Sequence, residues 1–80
     1  MKASYTVKTK NGKVYKWGFT EFKGEGNYGN GTYIGIKYPS GDSSMIDCRY
    51  ILGYTFHDTC VNYLRAYYGG NLDELTKDDF

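Results

Sequence analysis

Residues 3–19 read ASYTVKTKNGKVYKWGF, and the position of the turn inside this stretch decides the fold. Residues 3–9 and 13–22 alternate in polarity, the period of a half-buried strand. A two-residue loop at Asn11-Gly12 would set Val7 against Lys16 and Tyr5 against Gly18, apolar against polar along the whole ladder. A three-residue loop, Lys10-Asn11-Gly12, pairs Val7 with Tyr15, Tyr5 with Trp17 and Ala3 with Phe19. It also puts Gly12 in the left-handed position that follows a type I turn. The second register predicts a core face of Ala3, Tyr5, Val7, Tyr15, Trp17 and Phe19. Lys2, Thr6, Lys8, Lys16 and Thr20 then lie opposite.

The same device recurs at Pro39-Ser40-Gly41, with Pro suited to the first turn position and Gly to the last. Pairing Tyr38 with Asp42 sets Ile34 against Ile46 and Thr32 against Cys48. One face then holds Ile34, Ile36, Tyr38, Ile46, Cys48 and Tyr50. The other holds Tyr33, Gly35, Lys37, Met45, Asp47 and Arg49.

Thr55 followed by Asp58 resembles a capping box. Phe56, Cys60, Leu64 and Tyr67 follow helical spacing, with Val61 and Tyr68 beside them. Gly69-Gly70 ends the helix. Asn71 is expected to cap a short helical turn holding Leu72 and Leu75. A sheet with one apolar face needs a cover, and the 56–68 stripe is the long one present. The expected fold is therefore α+β: a four-stranded antiparallel sheet of two hairpins, 3–22 and 32–51, packed on one C-terminal helix. A Gly-rich linker, 24–31, separates the hairpins, and the tail 70–80 carries the short extra helical turn.

The totals agree with one small domain. Eighty residues bury roughly 60% of the surface that their unfolded chain exposes. No apolar run approaches the ~20 residues of a membrane span, and the opening MKASYTVKTK lacks the apolar core of a signal peptide. These features predict a cytoplasmic protein without a membrane partner. Cys48 and Cys60 are too few for a disulfide framework and read as two small buried apolar groups. Residues 1–23 carry six lysines against one glutamate, whereas the last ten include Asp73, Glu74, Asp78 and Asp79. That polarity suits a molecule that orients itself on a charged partner. Ten tyrosines in 80 residues suit half-buried sheet faces and interfaces.

Gly24-Glu25-Gly26-Asn27-Tyr28-Gly29 fits GxGxxG, and Ile34-Gly35-Ile36-Lys37 resembles the lysine strand of protein kinases. The resemblance breaks on spacing. Kinases place the lysine one strand after the loop's own, whereas here loop and lysine share a strand, and no H-R-D or D-F-G segment follows. A dinucleotide site would need a helix to begin at the loop. The glycines therefore read as a linker, in which Tyr28 is the residue placed to touch a partner.

No catalytic set emerges. His57 and Cys60 share one side of the helix, but a cysteine in an apolar stripe has a raised pKa and is inert. One His and two Cys fall short of the four ligands of a structural zinc site. No cofactor, metal or catalytic residue is expected. Lys8, Lys10, Lys13 and Lys16 line the first hairpin and its tip, a candidate track for a nucleic-acid backbone. Tyr15 and Trp17, which would stack bases, face the other way. The leading expectation is a non-enzymatic module that binds another protein through Tyr33, Met45, Arg49 and Tyr28, residue types enriched at interfaces. A regulator or inhibitor of the kind that phages and mobile elements encode is one version of it, and a homo-oligomer is another. Nucleic-acid binding is the alternative, and a small enzyme or nucleotide binder comes third.

Overall fold

A computed structural model describes residues 1–26, 29–47 and 55–78. Strands β1 (Lys2–Thr9), β2 (Val14–Gly26), β3 (Gly29–Lys37), β4 (Ser43–Ile46) and β5 (Leu72–Asp78) and helix α1 (Phe56–Tyr68) are built from them. They form an α+β fold with an antiparallel sheet ordered β4-β3-β2-β1-β5. Among the described residues no helix is long and apolar enough to cross a membrane.

The turns set the registers. Thr9 N–H donates to Lys13 O at 2.9 Å and Gly12 N–H to Thr9 O at 2.9 Å. Gly12 sits at φ +83°. The three-residue loop follows, with Ala3 opposite Phe19, Tyr5 opposite Trp17 and Val7 opposite Tyr15. The second hairpin repeats it: Tyr38 N–H donates to Asp42 O at 2.9 Å, and Gly41 lies at φ +94°. Ile34 pairs with Ile46 as expected. The expected partner of Thr32, Cys48, and the far end of the 32–51 hairpin lie outside the described residues.

Helix α1 begins where Thr55 Oγ1 accepts from Asp58 N–H at 3.1 Å. It ends at Gly69, φ +56°, whose N–H donates to the Arg65 carbonyl. Phe56, Cys60 and Leu64 are buried with Ala3, Tyr5, Val7, Trp17, Phe19, Ile34, Ile36 and Ile46 in one core between helix and sheet. Each fully buried aliphatic or Phe side chain there stabilises the fold by about 1.5–3 kcal/mol.

Two expectations are corrected. The sheet has five strands, not four, because the tail is a strand where a helical turn was expected. After a 3₁₀ turn at Gly69–Asn71, β5 pairs with the outer edge of β1. Its Leu72 and Leu75 are three apart, which is helical spacing. A bulge at Asp73 reconciles this with a strand: Leu75 lies opposite Val7 and Leu72 opposite Thr9, with two β5 intervals absorbed against one on β1. Both leucines therefore pack against the core. The 24–31 linker is likewise strand on both sides, since β2–β3 pairing runs on through Gly24–Gly31 to Gly26–Gly29.

Candidate aromatic docking cleft

Helix α1 stops at Tyr68, so tyrosine side chains rather than helix backbone cover the Trp17 end of the inner face. Trp17 is the floor, only 1% exposed. Its ring centroid lies 4.8 Å from those of both Tyr38 and Tyr67, and 6.0 Å from those of Tyr63 and Tyr68, all edge-on. Tyr15 adds a ring 5.9 Å from Tyr68. Edge-to-face packing suits the ring quadrupoles and fixes the cluster's shape.

Four polar groups of this cluster are paired internally. Trp17 Nε1–H donates to Tyr68 Oη at 2.8 Å, and the hydroxyls of Tyr38 and Tyr63 bond at 2.7 Å. Burial pushes the Tyr63 and Tyr68 phenols upward, and for Tyr63 the bond with Tyr38 adds to the rise. Ring faces, with the hydroxyls of Tyr15 and Tyr67, are what the cluster offers to a ligand.

Between α1 and the Pro39 turn lies an open cleft of about 470 Å³, lined by Tyr15, Trp17, Tyr38, Asp42, Tyr67 and Tyr68 with Pro39 and Ser40. Tyr67 is 57% exposed despite its four aromatic neighbours. The sequence pattern had placed it in the buried stripe. The stripe instead ends on Leu64, and Tyr63 and Tyr68 turn toward Trp17 while Tyr67 stands at the lip. Asp42 is the one charged residue among the described lining residues. Its carboxylate accepts from Ser40 Oγ at 3.3 Å. Among the described residues no cation lies within 4.0 Å of it.

Of the residues expected to bind protein, the two described ones, Tyr33 and Met45, do not line this cleft. Tyr33, expected on the open outer face, is only 1% exposed. Phe22, directly opposite, lays its ring 5.9 Å away, and the Tyr33 hydroxyl donates to the Gly29 carbonyl. Met45 is 43% exposed on edge strand β4. Arg49 and Tyr28 lie outside the described residues.

The lysines are exposed, with Lys10 and Lys13 at the first turn. Their strand neighbours alter the expected basic track. Lys16 Nζ is 3.6 Å from Asp78 Oδ2, and Lys8 lies opposite Glu74. The acidic tail thus runs beside the basic hairpin, and two of the lysines, Lys8 and Lys16, face acidic residues of β5.

His57 and Cys60 are brought together with Tyr5. Tyr5 Oη bonds His57 Nδ1 at 2.8 Å. Cys60 is fully buried, and burial pushes its thiol up to about 12. A thiol held protonated is a poor nucleophile and ligand. Among the described residues no three His, Cys, Asp or Glu side chains are grouped to hold a metal ion.

Tyr38, Tyr67 and Tyr68 did not stand out in the sequence as a site. The excess of tyrosine was the signal; which tyrosines converge is a matter of tertiary structure. Compared with known protein families, curated proteins and solved structures, the chain matches none.

Proposed function

We propose that this chain is a non-enzymatic module that binds another protein, and that the aromatic cleft takes a segment of that partner. The observation that carries the reading is Tyr67: a large ring, more than half exposed, held in place by four other rings around an open cleft. Rigid, exposed aromatic residues backed by a packed floor are what interface hot spots are made of. Holding them in place beforehand spares the ordering cost of association.

Two features favour protein over nucleic acid. Bases stack on rings that sit within a positive groove, and the only charge among the described residues lining this cleft is the carboxylate of Asp42. No lysine is among the described residues lining it, and Lys16, which lines an adjoining groove with Lys37, is paired with Asp78.

A photo-crosslinking amino acid placed at position 67 tests the reading. The chain is exposed to lysate of its own cell, and the crosslinked protein is identified, purified and titrated. Tyr67→Ala should weaken that complex by about 30-fold, the loss expected of a hot-spot aromatic, while Met45→Ala changes it little. Equal affinity of wild type and Tyr67→Ala would remove the cleft from the interface. A complex that forms only with nucleic acid would replace the reading altogether.

A further inference from the structure

We infer that the partner segment enters the cleft with a cationic side chain, lysine or arginine, held against the Tyr67 ring and the Asp42 carboxylate. The inference rests on the cleft being a docking site, and adds the chemistry of its occupant.

Three independent features of the cleft select positive charge. The first is the ring faces, whose quadrupoles attract a cation within about 6 Å of the centroid. The hydroxyls of Tyr38 and Tyr68 and the Trp17 N–H are already engaged with one another or with Tyr63.

The second is Asp42. It is the sole charged residue among the described lining residues, and no described cation pairs with it. Asp78 makes the contrast, with Ser4, Thr6 and Lys16 all on its carboxylate. The third is the helix. Tyr67 and Tyr68 form the last turn of α1, and the carbonyl end of a helix carries a partial negative charge of roughly half an electron. Arg65 in the same turn offsets part of that field, but it is not among the residues lining the cleft. A cleft of about 470 Å³ holds one long side chain together with its neighbours along a segment.

A random dodecapeptide library displayed on phage, selected on the immobilised full chain and counter-selected on Tyr67→Ala, separates the two layers of the argument. Selected peptides should share a Lys or Arg at one position. The best peptide is then resynthesised with that residue replaced by norleucine or citrulline, which should weaken it about fivefold. Asp42→Asn should weaken the parent peptide about threefold at low salt, with the loss shrinking at high salt, and leave the norleucine peptide unaffected. Tyr67→Phe should retain binding and Tyr67→Leu should not. Peptides that depend on Tyr67 but lack a common cation, or that ignore Asp42→Asn, would overturn this inference and leave the docking site standing. If no recovered peptide distinguishes wild type from Tyr67→Ala, the docking site falls and the inference with it.

Discussion

Lys16 and Asp78 meet on the outer face of the sheet, Nζ to Oδ2 3.6 Å, although one lies in the basic first hairpin and the other in the acidic tail. Ser4 and Thr6 also donate to the Asp78 carboxylate, at 3.2 and 3.0 Å. This carboxylate adds side-chain contacts to the ladder that joins the last strand to the first.

Acid should therefore loosen β5. The Thr6 hydroxyl, and after it Ser4 and Lys16, hold the Asp78 carboxyl below its ordinary range. A depressed folded value means that the unfolded chain binds the proton first. The contribution of Asp78 is thus complete above the unfolded pKa of about 3.9 and is lost as pH falls through the lower folded value. Melting curves of wild type and Asp78→Asn should differ at neutral pH and converge in acid. A gap between them that does not change with pH would contradict this role.

Alkali should act on the core. Burial raises Cys60 from 9.0 to about 12 and Tyr5 from 10.0 to about 12. Here the folded values are raised, so the stabilisation is complete below pH 9 and declines as pH climbs toward 12. In a Cys48→Ser background, a disulfide reagent at pH 8 should label the native thiol far more slowly than the urea-unfolded one. Equal rates would show that Cys60 is accessible.

Removing the Tyr68 hydroxyl should leave the buried Trp17 N–H without its partner. An unsatisfied buried donor costs about 1–3 kcal/mol, so Tyr68→Phe should lower urea stability by that amount. Exposed Tyr67→Phe should be neutral. If both variants unfold alike, the 2.8 Å Trp17–Tyr68 bond does not support the floor of the cleft.

The bulge makes an uncommon prediction about deletions. Removing Asp73 leaves Leu75 opposite Val7 and Leu72 opposite Thr9 in a regular ladder, so the deletion should be tolerated. Removing Thr76 either turns Leu75 outward or draws Asp78 away from Ser4 and Thr6. It should cost roughly 1 kcal/mol or more, since a leucine side chain carries about 1.5–3 kcal/mol when fully buried. Urea titration of the two deletion variants decides it, and the reverse order would refute the bulge.

What the sequence determined by itself was whatever short-range chemistry controls. Gly12 and Gly41, each at positive φ, specify three-residue turns, and the turns dictate which residues face each other. Thr55 and Gly69 bound the helix through caps made within the adjacent turn. Tertiary structure decided the rest. Leu72 and Leu75 carry a helical interval, and only the vacant edge of β1 makes them a strand. The glycines of 24–31 resemble a linker until each strand supplies the other's hydrogen-bond partners. Tyr33 alternates onto the outer face as the pattern says, yet it is buried there, with the Phe22 ring beside it. The cleft depends on Trp17 meeting Tyr68 from 51 positions away, and the hold on the Asp78 carboxylate depends on Thr6 meeting it from 72 away. Local propensity is blind to such pairings, because their free energy exists only once the chain has closed the loops between them.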